Sequence, residues 1–270
     1  MRQRFLSFLL MVTSRLLLRS DRLNGTMEHM LRAFSFAKER LVIPSGDRKL
    51  SAVYVSAGED TPAVLICHGI GELVEYWGGV QGLLKGLGVS SLVFNYSGYG
   101  ASSGTLSTAH CEEDATAAYR ELAGRGHQSI VLLGFSLGTG VGCAVASRID
   151  VNGLVLCEGF STLREAGAAM GFPRWVTRVV PDAWDTVHRV CNLEMLVLVV
   201  HSDVDGLFPL SMAKRVTEAC GPRGKLIVIH GVSHNTPIFA PTEDYWKPIV
   251  EWIKQRSSEA PARRLPVAGD

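Results

Sequence analysis

Five residues, Gly134-Phe135-Ser136-Leu137-Gly138, carry the first sign of chemistry in this 270-residue chain. An apolar run from Ser129 ends at them, and a stretch of small residues continues to Arg148. An ordinary strand-to-helix turn needs one glycine at most. Two glycines placed symmetrically about a serine indicate a backbone bent too sharply for side chains at either flank. The bend predicts an exposed Ser136 hydroxyl at a helix N-terminus, where unpaired N–H groups and the helix dipole favour negative charge. That is the setting of a nucleophile.

A serine hydroxyl is a weak nucleophile and needs a base, which in turn needs an orienting acid. In this kind of elbow the chain order is serine, acid, histidine. His188, His201, His230 and His234 follow Ser136. His234, in "GVSHN" just beyond the last predicted strand, can swing over the serine and is the expected base. His230 ends that strand and reads as fixed beside the sheet; His201 also ends a strand, and His188 falls in an inserted segment. For the acid, "VVHSDVDGLFP" offers Asp203 and Asp205. Asp205 is preferred because it lies further into the loop, ahead of Phe208-Pro209. Asp203 comes second, and Glu158, after the preceding strand, third. The tetrahedral oxyanion of acyl transfer needs two preorganised donors. One is the N–H of Leu137. The other is expected from the loop after an earlier strand, where "CHGIGE" offers the Ile70 N–H between Gly69 and Gly71. His68 precedes the serine and reads as structural support for that loop.

The elements that must position these groups are legible as short apolar runs. "LVIPSGDRKLSAVYV" reads as two strands around a Pro-Ser-Gly-Asp turn. "AVLICHG", "SLVFNY", "SIVLLGF", "GLVLCE", "MLVLVVH" and "KLIVIH" follow, most of them separated by helical segments such as 77–87 and 108–122. Runs apolar on both faces suit a central parallel sheet, and strand–helix alternation gives a doubly wound α/β architecture. One domain is expected from Leu41 to Lys254. Residues 159–194, with Phe160, Met170, Phe172, Trp175 and Trp184, predict a short helical cap over the strand ends, or else a crossover helix with a loop.

Composition narrows the function classes. The chain is 47% hydrophobic and 20% charged, enough for a large core. A net charge of +1 without a basic stretch in the domain speaks against nucleic acid. Six cysteines with no CxxC pair support neither a disulfide scaffold nor zinc, and a reducing compartment such as the cytoplasm is the simplest setting. Residues 1–40 form a separate N-terminal extension. On a helical wheel Arg4, Arg15, Arg19 and Arg22 fall within roughly 60° of one another, and Phe5, Leu9, Val12 and Leu16 fill the adjoining sector of roughly 60°. Residues 4–22 are therefore expected either to lie on an anionic membrane surface or to dock on the domain or a second subunit. Residues 255–270, polar and proline-rich, read as a disordered tail.

Taken together, "HGIG", "NYSGYGASSG", "GFSLG", "HSDVDGLFP" and "GVSHN" resemble the α/β-hydrolase superfamily in order and spacing. "NYSGYGASSG" (Asn95 to Gly104) resembles the minimal-lid serine hydrolases, which include esterases, monoacylglycerol-type lipases and acyl-protein thioesterases. The resemblance implies an α/β-hydrolase fold, an acyl-enzyme mechanism, no cofactor, and Ser136, Asp205 and His234 as nucleophile, acid and base. Two positions depart from the family pattern: Ser202 replaces the glycine of H-G-x-x-D, and Ser97 stands where an arginine is usual. The leading expectation is a serine hydrolase acting on small-molecule or lipid carboxylic esters. A membrane-associated lipase, acyl-thioesterase or acyltransferase is the first alternative, and a non-catalytic binding module on the same fold is the second.

Overall fold

The computed structural model describes residues 37–127, 129–179 and 183–259. Eight strands form one sheet: β1 (Glu39–Ser45), β2 (Arg48–Val55), β3 (Ala63–Cys67), β4 (Ser90–Phe94), β5 (Ile130–Phe135), β6 (Gly153–Cys157), β7 (Val197–Ser202) and β8 (Gly224–Ile229). The order across the sheet is β1-β2-β4-β3-β5-β6-β7-β8. Strands β3 to β8 run parallel, and the β1–β2 hairpin adds to β4 antiparallel. This is the doubly wound α/β architecture that the alternating runs predict.

Burial explains why those runs are apolar throughout. Every residue of β3, β4, β5, β6 and β7 is buried, because helices cover both faces. Side chains alternate between two cores. Leu65, Leu132, Leu154 and Val199 face one, with α2 (Thr108–Ala123), α3 (Leu137–Val145) and α7 (Leu210–Ala219) packed over them. Val64, Val131, Val155 and Leu198 face the other, under α1 (Gly78–Gly86), α8 (Thr236–Phe239) and α9 (Glu243–Ser258). The two edge strands, β1 and β8, are partly exposed.

Three short helices lie between β6 and β7: α4 (Leu163–Ala169), α5 (Arg174–Val179) and α6 (Thr186–Cys191). Thr162 caps α4 through the Glu165 N–H, and Asp185 caps α6 through the His188 N–H. A bridge between Thr162 and Asp185 ties the two starts together. Helix α6 packs against α3 and α7 and so serves as the crossover, whereas α4 and α5 pack on each other. Trp184 anchors the segment: it is fully buried, fits against Gly140, and donates its indole N–H to Glu112 at 3.2 Å.

The final helix α9 runs to Ser258, which corrects the expectation of a disordered tail from residue 255. Trp252 and Arg256, one turn apart, hold its end. The indole covers Gly153, where a Cβ would stand 2.5 Å from the ring, and the Arg256 guanidinium lies over that indole at 5.5 Å. Ser257 donates to Ser129 at 3.1 Å. Residues 260–270 and the N-terminal segment 4–22 lie outside the described residues. Among the described residues, no helix is long and apolar enough to cross a membrane.

A buried ion pair fastens the β1–β2 hairpin to the rest. The guanidinium of Arg48 donates to Ser97 Oγ at 2.9 Å, to Glu113 at 2.5 Å and to Asp114 at 3.4 Å. Asp114, fully buried, also accepts the Ser97 N–H at 2.7 Å and the Ser45 hydroxyl at 2.7 Å. Ser97, at the position where the resemblance expects an arginine, thus itself receives an arginine from β2. Removing one partner of such a pair strands a buried charge, so Arg48→Ala should cost about 3 kcal/mol in urea unfolding. An unchanged midpoint would mean that Asp114 is neutralised by other groups.

Candidate active site

The turn after β5 is as tight as its glycines imply. Ser136 has φ 51°, a left-handed value that a non-glycine residue adopts only under constraint. A Cβ on Gly134 would stand 2.3 Å from the Gly138 carbonyl oxygen, and one on Gly138 only 1.8 Å from the Cys67 carbonyl oxygen. The start of α3 therefore leans on the end of β3, and no side chain fits between them. Ser136 is anchored by its own N–H, which bonds to the Cys157 carbonyl of β6 at 3.0 Å.

His234 and Asp205 arrive from loops beyond β8 and β7. His234 Nε2 lies 3.1 Å from Ser136 Oγ, and its Nδ1 lies 2.7 Å from Asp205 Oδ2. The imidazole is held edge-on to Phe208 at 5.4 Å and tilted against Phe135 at 5.6 Å between ring centres. The other oxygen of Asp205 accepts the N–H groups of Leu207 at 2.7 Å and Phe208 at 3.0 Å. Burial alone would raise this carboxyl, but the hydrogen bond and charge of His234 and those two N–H groups outweigh it, lowering it to about 2. Asp205 is ionised and accepts the Nδ1–H, and in the neutral imidazole this tautomer leaves Nε2 to accept from Ser136.

The other sequence candidates go elsewhere. Asp203 pairs with His230 at 2.6 Å and accepts the Gly231 N–H at 2.9 Å. His230 is 81% exposed in its side chain rather than fixed beside the sheet, because β8 ends at an open edge. His201 is fully enclosed and lies 2.9 Å from the Phe208 carbonyl through Nε2; burial lowers its pKa. His188 sits on α6.

The loop after β3 is held by side chains that sequence reasoning missed. Glu72, buried, accepts the Gly69 N–H at 2.9 Å and the Trp77 indole N–H at 3.0 Å. Tyr99 takes the Gly71 N–H at 3.3 Å, and Tyr96 donates to the His68 carbonyl at 3.2 Å. His68 is enclosed, lies 2.7 Å from the Gly69 carbonyl through Nδ1, and is pushed down by burial to about 4. These bonds use the N–H groups on either side of Ile70 and leave that of Ile70 itself out. Gly69 lies against the serine: a Cβ there would be 3.2 Å from Ser136 Cβ. Glu72 carried no legible signal, since its burial depends on a fold that brings Trp77 back to it.

Glu158, third choice as the acid, lies beside the pair instead. The ligand-type atoms of Glu158, Asp205 and His234 all fall within 4.8 Å of one another. A metal could be imagined there, but the Asp205 oxygens and both His234 nitrogens are already engaged in hydrogen bonds within the protein.

A doubly wound sheet carrying a strained serine after β5, an acid after β7 and a histidine after β8 is the arrangement of one superfamily. The chain has the α/β-hydrolase fold, and residues 62–188 match the family described as alpha/beta hydrolase fold. Among sequences it is similar to an uncharacterized protein of Mycobacterium tuberculosis, 32% identical over 187 residues, which is 67% of this chain and 66% of that one. It is also similar to alpha/beta hydrolase domain-containing protein 17C of Homo sapiens, 25% identical over 197 residues, 70% of this chain and 58% of that protein. The match thus spans less than two thirds of the length of these relatives. Among solved structures, an esterase of Pyrococcus furiosus superposes with a TM-score of 0.70 at 21% identity, covering 84% of this chain and 95% of its own. A soluble variant of monoglyceride lipase from Saccharomyces cerevisiae gives 0.66 at 12%, covering 84% and 97%. These last two likenesses concern the fold.

Because Gly138 backs directly onto a main-chain carbonyl, Gly138→Ala should cost at least about 3 kcal/mol in urea unfolding, the upper end of overpacking penalties. A loss within about 0.5 kcal/mol, the range of neutral surface changes, would mean that the elbow does not press on β3.

Proposed function

We propose that this protein is a serine hydrolase that cleaves carboxylic esters through an acyl-enzyme intermediate. The observation that carries the reading is the continuous hydrogen-bonded chain from Asp205 through His234 to Ser136, ending on a strained, glycine-flanked turn. Ser136 Oγ attacks the ester carbonyl as its proton passes to His234 Nε2. Asp205 holds the imidazole in the required tautomer and stabilises the imidazolium that forms. The N–H groups of Leu137 and Ile70 are the donors assigned to the tetrahedral oxyanion, each worth about 3 kcal/mol to such a transition state. His234 then protonates the departing alkoxide. Water, deprotonated by the same histidine, attacks the acyl-serine, and collapse of the intermediate releases the acid as His234 returns that proton to Ser136 Oγ.

Turnover of p-nitrophenyl acetate, butyrate, octanoate and palmitate by wild type and Ser136→Ala tests this directly. Ser136→Ala should lower kcat by on the order of 10⁵-fold. The chain-length profile separates an esterase from a lipase. Equal rates in the two proteins would remove Ser136 from the chemistry, and no turnover of any ester would favour thioesters, amides or a binding role.

The basic, amphipathic pattern of residues 4–22 supports peripheral contact with a membrane, which would bring lipid esters within reach. Deleting residues 1–25 should weaken binding to liposomes containing anionic lipid while leaving small-ester turnover in place. Unchanged liposome binding would discard the membrane contact.

A further inference from the structure

Glu158 has no part in the reaction written above, yet it is buried against it. Its side chain is fully enclosed, and its backbone holds φ 47°, one of three positive values at non-glycine residues among those described. Strain of this kind persists only where the surroundings over-determine it. The surroundings here are specific. The Glu158 N–H bonds to the Val200 carbonyl at 3.0 Å, Oε2 accepts the Ser202 N–H at 3.1 Å, and Oε1 accepts the Tyr245 hydroxyl at 2.9 Å. The same carboxyl lies within 4.8 Å of both the Asp205 carboxylate and His234.

Two carboxyl groups enclosed this closely cannot both ionise. Asp205 receives an imidazole N–H and two backbone N–H groups, so it takes the charge. Glu158 receives one backbone N–H and one hydroxyl. We propose that Glu158 is a positioning residue, whose carboxylic-acid proton hydrogen-bonds to the Asp205 carboxylate and fixes it against His234. The inference rests on Asp205 being the orienting acid.

The groups facing Glu158 agree with that assignment. Asp205 and His201 come from β7 and its loop, His234 from the loop after β8, Tyr245 from α9 and Cys157 from its own strand. His201 Nδ1 is 3.8 Å from Glu158 Oε2, has no hydrogen-bond partner, and has its pKa lowered by burial. Burial pushes Tyr245 and Cys157 upward. None of these three supplies a positive charge that would hold Glu158 ionised. Burial first, and then the neighbouring Asp205, raise Glu158 to about 8 against the pull of Ser202 and Tyr245. Folded protein therefore keeps a proton that the unfolded chain releases near 4.5, and stability falls as pH rises from there towards 8. Above that value a second negative charge would stand beside Asp205 and break the hydrogen bond.

The test compares wild type, Glu158→Ala and Glu158→Gln. Glu158→Ala should lower kcat on the order of tenfold with little change in KM, as expected for a misplaced catalytic group. Glu158→Gln, which keeps an uncharged donor, should recover most of that loss. Wild-type kcat/KM should fall on the alkaline side with a midpoint near 8, and Glu158→Gln should lack that fall. The melting temperature of Glu158→Gln relative to wild type should rise steadily between the acid and alkaline ends of that window. A Glu158→Gln variant with the wild-type alkaline limb and a pH-independent difference in melting temperature would overturn the proposal. Equal turnover by wild type and Ser136→Ala would instead sink the serine-hydrolase reading, and the melting comparison would still decide whether Glu158 holds a proton beside Asp205.

Discussion

The contact on which this structure depends is between main chains: the α carbon of Gly138 against the carbonyl of Cys67. Where β3 ends and α3 begins, the backbones meet with no room for a methyl group. That approach sets the serine turn beside the loop after β3, so the Ser136 hydroxyl and N–H groups from a distant part of the chain share one space. Register pairing of Cys67 with Gly134 in adjacent parallel strands makes the approach possible, because both strands end at the same level. The strain at Ser136 is maintained by the cores on either side of the sheet, which leave the turn nowhere to relax.

Charge in the site is managed by burial as much as by pairing. Asp205 keeps its charge because three N–H groups converge on it. Around it, desolvation disfavours the charged forms of His68 and His201 and the ionised form of Glu158. One anion facing one imidazole is the consequence, with few competing charges to divert the proton on Nδ1. The exposed pair of Asp203 and His230 lies outside this arrangement, since water there screens it and no serine approaches.

Away from the elbow, several positions show one function carried by different parts of the chain. Arg48, from a turn that reads as an ordinary hairpin, reaches Ser97 and Asp114 and fastens the hairpin to the loop after β4 and to α2. Trp184 ties the segment between β6 and β7 to α2 and α3, where Gly140 leaves space for it. Trp252 does the same for the end of α9 at Gly153. In both tryptophan cases a glycine on one element and a large side chain on another are far apart in sequence and interlocked in space.

The sequence by itself determined the sheet, its parallel core and the serine turn, because these follow from local patterns: apolar runs buried on both faces, and glycines at fixed offsets. It also narrowed the residues expected to partner the serine to a few in loops, since chain order and position after a strand limit which side chains can reach it. Only the tertiary structure decided which aspartate meets which histidine, because Asp203 and Asp205 are two residues apart and their partners, His230 and His234, are four apart. Glu158, Glu72 and Arg48 were likewise assigned by packing. A charged residue next to an apolar run looks the same in sequence whether it ends in solvent or in a core, and the difference lies in what the rest of the chain brings around it.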